Sequence, residues 1–417
     1  MYKKNSDQLR IFILTESFYP PIIGGQQLFT SQLSKRLSAE GMQISVITRK
    51  VDPTSECFEE IDNVRVRRLS PTGVLKGKGF KALFPILITV LKVFFLLIKS
   101  INEYDILFVV SFKILSIPAV IAKSIFGKKC IVAVISPSEL QEDILSDESL
   151  RKMRLNRKSA IVKFIKTIRN PIIRKTDLFV GLSSEIKQQY INMGILPEKI
   201  RIIPNGINIK KFSPVSNEIK IKLRKELGIP EDKIVFCYAG RIARTKGVML
   251  LIEVWKQILN KHRNLYLLIV GSGKNSYDDC ENELRKYINH NNLNENVCAT
   301  GRVEEINVYL QSSDVFVFPS FYEGFGYSIL EGLACGLPAV LTRVGAANEA
   351  VENCRDGVLV NPQNSEELYN AIEWMLDHKH LWESMGINAR KSVEKYGIEA
   401  ETDKYVEIFT EVLNNKN

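Results

Sequence analysis

Two glutamates stand eight positions apart in the stretch Phe318–Val340, with Gly324-Phe325-Gly326 between them. Glu323 precedes this glycine-rich loop, and Glu331 lies one turn into a helix predicted to start near Tyr327. A helix start offers free N–H groups and a positive dipole end, which suit phosphate. A carboxylate one turn further on can accept hydrogen bonds from both hydroxyls of a ribose, and Glu323 can reach a sugar hydroxyl. The plainer alternatives are a helix cap for Glu323 and a partly exposed helix residue for Glu331.

Two cations follow a predicted strand in the segment Gly240–Gly247, GRIARTKG. The strand Ile234–Ala239 precedes this loop and a helical pattern follows it, so Arg241 and Lys246 should lie at the carboxyl edge of a sheet, where open α/β sheets bind ligands. Two cations there can hold a diphosphate and neutralise the charge that grows as it leaves. A solvated basic loop is the alternative, and it is our interpretation of Arg244.

Three weaker signals accompany these motifs. Gly24-Gly25 follows the first predicted strand and allows close backbone approach to a ligand. Gly271-Ser272-Gly273 lacks the full dinucleotide-binding fingerprint. Asp278-Asp279 has no third ligand nearby in the sequence, so we interpret the pair as solvent-exposed acids and predict no metal site.

Buried strands alternating with helices are expected to position these residues. The alternation predicts βαβ units in two doubly wound domains with a cleft between them, joined near Pro204–Pro214. The predicted strands are Leu9–Thr15, Gln43–Thr48, Asp105–Ser111, Cys130–Ser136, Leu178–Leu182, Ile234–Ala239, Leu265–Val270, Val297–Thr300, Val315–Phe318 and Ala339–Thr342.

The chain of 417 residues carries a formal net charge of +10 that is unevenly distributed. Residues 1–213 hold 34 Lys and Arg against 18 Asp and Glu, whereas residues 214–417 hold 23 against 29. This asymmetry indicates two domains with different partners. A hydrophobic content of 45% excludes a disordered chain. Seven scattered cysteines without a CxxC pair indicate a reducing compartment, and the apolar run Ile11–Leu14 is too short for a signal peptide.

Two segments of the basic half could meet a membrane surface. Residues 82–98 are apolar apart from Lys92, and Lys81, Lys92 and Lys99 share one helix face, which leaves either a membrane interface or a buried core helix. Residues 151–176 hold ten Lys and Arg, no acid, and an isoleucine stripe, which favours an anionic lipid surface over a solvated face. Nucleic acid is not predicted, because the aromatic platforms for single strands are absent.

Taken together, these motifs resemble the GT-B retaining glycosyltransferases, and specifically glycosyltransferase family 4. The resemblance runs over essentially the whole chain. Its segments are the first glycine loop YPPIIGGQQ, the crossing IRIIPNGINIKKFSP, the diphosphate loop GRIARTKG, the glutamate pair in EGFGYSILE, and VENCRDGVLVNP.

The family fold implies two Rossmann-like domains: an acceptor domain, residues 1–213 with the returning helix 397–417, and a donor domain, residues 214–396. By resemblance, Arg241 and Lys246 hold the donor diphosphate, and Glu323 holds the donor sugar. Glu331 binds the ribose. Further donor contacts are implied at Gly25, Gly301, Val303, Gly324, Phe325 and Gly326.

The resemblance also implies the reaction. Configuration is retained at a front face, the leaving diphosphate oxygen takes the acceptor proton, and neither a metal nor another cofactor is needed, because Arg and Lys replace the metal. The catalytic residues are then Glu323, Arg241 and Lys246. The chain departs from the family at one point: its four histidines all lie in the second half, whereas many members place one after a first-domain strand. Here that strand ends in Ser136-Pro137-Ser138.

We therefore predict an enzyme that transfers a sugar from a nucleotide-diphosphate sugar, with UDP as the expected carrier, to a lipid-linked saccharide in bacterial cell-surface glycan biosynthesis. It would be cytoplasmic and peripheral on the inner face of the cell membrane, bound to anionic lipid through its basic first domain. The alternatives are a soluble transferase with a small-molecule or protein acceptor, and a non-catalytic nucleotide-sugar-binding protein.

Overall fold

The structure is a computed structural model. It describes residues 9–20, 25–50, 54–69, 84–110, 115–136, 140, 156, 159–274 and 278–415, with only the backbone at 84–86, 160–165 and 168. Several sequence predictions lie outside the described residues: those for Gly24, Lys81, Pro137-Ser138, residues 151–155 and the side chains of the isoleucine stripe before residue 172.

The chain divides into two compact units. Unit 1 comprises Met1–Pro204 and Glu401–Asn417, and unit 2 comprises Asn205–Ala400. The division thus falls after Pro204 rather than after residue 213. The segment that follows Pro204 is held by unit 2: the backbone N–H of Ile207 donates to the carbonyl of Tyr396 at 2.8 Å, and Arg390 Nη1 donates to the carbonyl of Phe212 at 2.7 Å.

Unit 1 contains an eight-stranded sheet in the order β3-β4-β2-β1-β5-β6-β7-β8. Its strands are β1 (Arg10–Thr15), β2 (Gln43–Arg49), β3 (Phe58–Ile61), β4 (Val64–Leu69), β5 (Ile106–Val110), β6 (Lys129–Val134), β7 (Leu178–Gly181) and β8 (Ile200–Ile202). All neighbours are parallel except β3 and β4, an antiparallel hairpin turning at Asp62-Asn63, where both residues have positive φ. The prediction of parallel strands is wrong at this edge, because the short, charged strands of the hairpin give no buried run.

Five helices connect these strands over the described residues. They are α1 (Gly25–Ala39), α2 (Phe84–Lys99), α3 (Ser116–Phe126), α4 (Ala160–Ile173) and α5 (Ser184–Asn192). α3 packs alongside α2 and α4. None of the helices in the described part of the chain has the length and apolar content needed to cross a bilayer.

Unit 2 contains a six-stranded parallel sheet in the order β11-β10-β9-β12-β13-β14. Its strands are β9 (Ile234–Ala239), β10 (Leu265–Val270), β11 (Val297–Gly301), β12 (Val315–Phe318), β13 (Ala339–Thr342) and β14 (Gly357–Val360). The strand order reverses between β9 and β12, so the loops that leave these two neighbouring strands diverge. This is the switch point at which doubly wound sheets bind ligands.

The helices of unit 2 alternate with these strands along the chain. They are α6 (Asn217–Leu227), α7 (Val248–Leu259), α8 (Glu281–His290), α9 (Ile306–Gln311), α10 (Tyr327–Ala334), α11 (Ala347–Ala350), α12 (Ser365–Asp377) and α13 (Trp382–Val393). The predicted helix start at Tyr327 is confirmed.

The last helix, α14 (Ile398–Asn414), returns the chain to unit 1 from Glu401 onward. The Tyr405 ring lies 5.9 Å from that of Phe29 on α1 and 5.6 Å from that of Phe108 on β5, between ring centroids. Arg36 on α1 forms a salt bridge with the buried Glu401. The C-terminal residues are therefore part of the core of unit 1.

Candidate active site

The loop Gly240–Gly247, which is predicted to hold the diphosphate, leaves the buried strand β9 and enters α7 through a single 3₁₀ turn, Arg244–Lys246. Gly247 ends that turn with φ 69°, and a Cβ built on it would lie 2.0 Å from the carbonyl oxygen of Pro319, so only glycine fits. Arg241 is exposed at the start of the loop. Arg244 is exposed and paired with Glu283, which agrees with its interpretation as a solvated residue.

Lys246 and Glu323 meet at the switch point of the sheet. Lys246 Nζ donates to Glu323 Oε1 at 2.6 Å, and the two side chains are only 13% and 9% exposed. Lys246 follows β9 and Glu323 follows β12, the two strands between which the order reverses. The structure thus brings together a cation and a carboxylate that the sequence predicts in two separate motifs.

The glycine loop after Glu323 is held by contacts of Phe325 and leads directly into α10. The Phe325 ring is 3% exposed and packs edge-on against Tyr396, with centroids 5.9 Å apart. The backbone N–H of Ala346 donates to the Phe325 carbonyl at 2.6 Å. Gly326 precedes the first helical residue with φ 94°, a conformation that other residues rarely adopt. Gly324 lies between these two anchored positions.

Glu331 lies in the second turn of α10, as predicted. Desolvation raises the pKa of its carboxyl to about 7, and the nearby Lys211 acts in the opposite direction. Lys211 is itself engaged by Glu305 at 2.7 Å, so it neutralises Glu331 only partly. A carboxyl in such surroundings gains from a ligand that donates hydrogen bonds to its ionised form, as a pair of sugar hydroxyls does.

Asp278 and Asp279 have separate roles that the sequence analysis did not find. Asp278 is half-buried, and its carboxylate accepts hydrogen bonds from the backbone N–H of Thr245, at 3.1 Å, and from the Thr245 hydroxyl. Asp279 accepts from the backbone N–H of Glu281 at 2.8 Å, at the start of α8. The interpretation of both as solvent-exposed acids is wrong for Asp278, because its partner lies 33 residues away in the sequence.

The remaining donor-domain candidates lie at the end of β11. Gly301 ends this strand with φ 75°, and its carbonyl accepts from the backbone N–H of Gly271 at 3.1 Å. Val303 is half-buried and follows the exposed Arg302. Their predicted place beside the nucleotide base stays a prediction.

Gly25 belongs to unit 1, whereas every other candidate site residue belongs to unit 2. Gly25 is the exposed first residue of α1. The next residue, Gln26, fixes this helix start, because its Nε2 donates to the Val110 carbonyl at the end of β5 at 2.8 Å. The predicted contact of Gly25 with the phosphates stays a prediction.

A second surface feature lies in unit 1 on α2. Four apolar side chains of this helix are exposed, namely Leu87 (54%), Ile88 (38%), Leu91 (45%) and Phe95 (64%). Lys92 and Lys99 are exposed on the same helix. The alternative of a fully buried core helix is therefore wrong, since only its opposite face, with Val93 and Leu97, is buried. We call these four residues the α2 apolar face.

Two family models match the chain. The model described as Glycosyltransferase Family 4 matches residues 23–211, and the model described as Glycosyl transferases group 1 matches residues 219–392. The chain belongs to glycosyltransferase family 4, and its two units are the Rossmann-like domains of the GT-B fold. The predicted family, fold and enzyme class are thereby confirmed.

The chain is also similar to individual members of the family. A UDP-Gal:alpha-D-GlcNAc-diphosphoundecaprenol alpha-1,3-galactosyltransferase of Escherichia coli is 32% identical over 235 residues, which cover 55% of this chain and 58% of that protein. This chain thus spans little more than half the length of that relative. An uncharacterized glycosyltransferase of Methanocaldococcus jannaschii is 25% identical over 411 residues, covering 96% and 98% of the two chains.

Among solved structures, sucrose-phosphate synthase from Thermosynechococcus elongatus resembles the chain with a TM-score of 0.76. The match covers 98% of this chain and 100% of that one, at 23% sequence identity. At this identity the likeness establishes the fold.

Proposed function

We propose that the protein is a retaining, metal-independent glycosyltransferase that moves a sugar from a nucleotide-diphosphate sugar, a UDP-sugar in the first instance, to a lipid-linked saccharide of a bacterial cell-surface glycan. The observation that carries the proposal is the pair of Lys246 and Glu323, 2.6 Å apart at the switch point of unit 2. A cation for a diphosphate and a carboxylate for a sugar hydroxyl are then neighbours, as the two halves of one donor require.

The chemistry assigned to these residues is electrostatic. Lys246 and the exposed Arg241 hold the donor diphosphate and stabilise the negative charge that develops on it, which is the role a metal would otherwise fill. The bond from the anomeric carbon to the diphosphate oxygen breaks, and the bond to the acceptor hydroxyl forms on the same face. The proton of that hydroxyl passes to the departing diphosphate oxygen, so no protein nucleophile is used.

Glu323 and Glu331 orient the two ends of the donor. Glu323, with the backbone of Gly324, Phe325 and Gly326, is assigned the sugar hydroxyls. Glu331 is assigned the two ribose hydroxyls, and Gly301 and Val303 the base. Gly25 is assigned to the phosphates. The proposal of a uridine carrier is supported by the name of the Escherichia coli relative, which uses UDP-Gal.

A lipid-linked acceptor is supported by the same relative, whose name specifies a diphosphoundecaprenol saccharide. It is also supported by the α2 apolar face and its two exposed lysines, because an interfacial helix inserts apolar side chains while its lysines contact anionic headgroups. We therefore propose that the protein works at the cytoplasmic face of the cell membrane as a peripheral protein.

The test is a transfer assay with UDP-hexoses and a GlcNAc-diphosphate-polyprenol acceptor in anionic vesicles. We expect transfer with retained anomeric configuration, read by NMR of the product. Lys246→Ala should lower the rate by about 10²–10³, the usual effect of losing one preorganised charged contact. Arg244→Ala, which removes the paired, exposed cation of the same loop, is the matched control and should stay within threefold.

Three outcomes would redirect the proposal. Transfer only to water-soluble acceptors would favour the soluble transferase. Donor binding with neither transfer nor donor hydrolysis would favour the non-catalytic binding protein. An equal loss of rate in Arg244→Ala and Lys246→Ala would remove Lys246 from its assigned role.

A further inference from the structure

Thr245 is the point at which three loops of unit 2 meet. It lies in the 3₁₀ turn of the diphosphate loop, directly before Lys246. The loop after β12 reaches it through the backbone N–H of Phe321, which donates to the Thr245 carbonyl at 2.8 Å, and through the Ser320 hydroxyl, which donates to the same carbonyl at 3.3 Å. These hydrogen bonds thus join the loops of Lys246 and Glu323 at the residue directly before Lys246.

The third loop, which precedes α8, reaches Thr245 from its other side through Asp278. The Asp278 carboxylate accepts from both the backbone N–H and the hydroxyl of Thr245, and the Asp278 carbonyl accepts from the backbone N–H of Arg244 at 3.0 Å. Three donors of the turn that carries Lys246 are therefore satisfied by a single residue. A carboxylate with two donors on one partner fixes that partner far better than a neutral contact does.

We propose that Asp278 is a positioning residue for donor binding, which acts through Thr245 to hold the Lys246 ammonium at the diphosphate site. Its carboxylate contacts Thr245 and its carbonyl contacts Arg244, so it acts on Lys246 through the geometry of the turn. A cation held in place binds an anion without the cost of ordering a long side chain and its loop. The inference rests on the proposed donor site and adds a residue to it.

The neighbouring acid provides a matched control. Asp279 has the same charge and lies on the same loop, but it accepts from the backbone N–H of Glu281 at the start of α8. A general loss of negative charge or loosening of this loop would appear equally in Asp278→Ala and Asp279→Ala. A positioning role through Thr245 appears only in Asp278→Ala.

The experiment measures the dissociation constants of UDP, GDP and ADP by titration calorimetry on the full chain. For the nucleotide that binds, we expect Asp278→Ala to weaken binding about tenfold, the effect of losing a charge-assisted hydrogen bond. Asp278→Asn keeps an oxygen acceptor and should restore binding to within threefold of wild type. Asp279→Ala should bind within twofold of wild type.

A double-mutant cycle distinguishes positioning from a merely structural role. If Asp278 acts through Lys246, adding Asp278→Ala to Lys246→Ala should cause no further loss of affinity, because the group being positioned is gone. Thr245→Val, which removes only the hydroxyl, should weaken binding about threefold while Thr245→Ser does not. The two Thr245 variants test the positioning role even if Asp278→Ala fails to fold.

Three results would overturn the inference. Wild-type affinity in Asp278→Ala or Thr245→Val would show that the contact has no effect on the donor, while the donor site itself would stand. Additive losses in the double variant would show that Asp278 acts independently of Lys246. Absence of binding by wild type to all three nucleotides would instead overturn the donor site, and this inference with it.

Discussion

At the scale of residues, Lys246 forms an ion pair with Glu323 and is also the proposed ligand of the donor diphosphate. A diphosphate that takes Lys246 competes with the Glu323 carboxylate, which lies 2.6 Å from the same ammonium. We predict that Glu323→Gln binds free UDP several-fold more tightly than wild type, because an anion no longer competes for Lys246 or repels the phosphates. The same variant should lose at least tenfold in transfer, because the sugar contact is weakened.

Titration calorimetry with UDP and a transfer assay check the two halves of this prediction. Glu283→Gln is the matched control, because Glu283 pairs with Arg244, which lies on the same loop as Lys246. It should change neither the affinity for UDP nor the transfer rate by more than twofold. Weaker UDP binding by Glu323→Gln would contradict the competition.

The raised pKa of Glu331 predicts a pH dependence of donor binding. With a carboxyl pKa near 7, against an ordinary 4.5, Glu331 is largely protonated at pH 6 and ionised at pH 8. Only the ionised form accepts from both ribose hydroxyls, so the affinity for UDP-glucose should rise between pH 6 and 8. A nucleotide sugar is the right probe, because its diphosphate does not titrate in this range. Glu331→Gln should bind weakly and without this step.

The raised pKa of Glu331 should also make the unliganded protein less stable as the pH rises, whereas it makes donor binding stronger. The folded state binds the Glu331 proton more tightly than the unfolded state, so this contribution to stability is complete below pH 4.5 and lost as the pH rises through 7. The Glu331→Gln variant should therefore lose less stability than wild type between pH 5 and 8 in urea titrations. An identical pH profile for both proteins would contradict the shift.

At the scale of elements, the α2 apolar face predicts binding to anionic vesicles. Full burial of one large apolar side chain is worth about 1.5–3 kcal/mol, so Phe95→Glu should lower the vesicle partition coefficient at least tenfold. The contribution of Lys92 and Lys99 should make binding weaken with salt. Co-sedimentation with vesicles of phosphatidylglycerol measures both effects.

Leu196→Glu is the control for this experiment, because Leu196 is 55% exposed in unit 1 but lies outside α2. It should leave vesicle binding unchanged. Equal losses for Leu196→Glu and Phe95→Glu would show that net charge, and not the α2 apolar face, governs binding.

The core strands of both sheets could be predicted because each is a short apolar run bounded by turn residues, as in Val315–Phe318. The β3–β4 hairpin was missed because neither segment is a continuous apolar run: Phe58–Ile61 contains two glutamates and Val64–Leu69 contains three arginines. The switch point follows from the strand order, and a single sequence contains no signal for the order of strands.

Within the site, the residues found in advance belong to contiguous motifs. Arg241, Lys246, Glu323 and Glu331 could be found because loop, strand and helix signals surround them. Asp278 could not, because its partner Thr245 is distant in sequence and the contact is made only when β9 and β10 pair. The one available signal was that Asp278 follows the carboxyl end of β10, the edge at which ligands bind.

At the scale of the whole molecule, the return of α14 makes the folding of unit 1 depend on the end of the chain. Phe409 is fully buried and contacts Phe108 of β5 with ring centroids 5.4 Å apart. We predict that Phe409→Ala lowers the free energy of unfolding of unit 1 by about 3–5 kcal/mol, the usual cost of such a cavity. Lys404→Ala, exposed on the same helix, should change it by less than 0.5 kcal/mol.

Urea titration followed by proteolysis of each unit measures this difference. Because the two units have separate sheets and cores, the loss should be seen in fragments of unit 1 before those of unit 2. Simultaneous cleavage of both units in Phe409→Ala would contradict the assignment of α14 to unit 1.

The central claim is that unit 2 binds a nucleoside diphosphate through Lys246, and a thermal-shift panel on the purified full chain tests it most directly. A ligand that binds only the folded protein stabilises it by RT ln(1 + [L]/Kd), so a nucleotide at 100 times its Kd adds about 2.7 kcal/mol. We predict that UDP and UDP-sugars raise the melting temperature of wild type and of Arg244→Ala, and raise that of Lys246→Ala much less. Stabilisation of Lys246→Ala equal to that of wild type, or no response of wild type to any nucleotide or nucleotide sugar, would contradict the account.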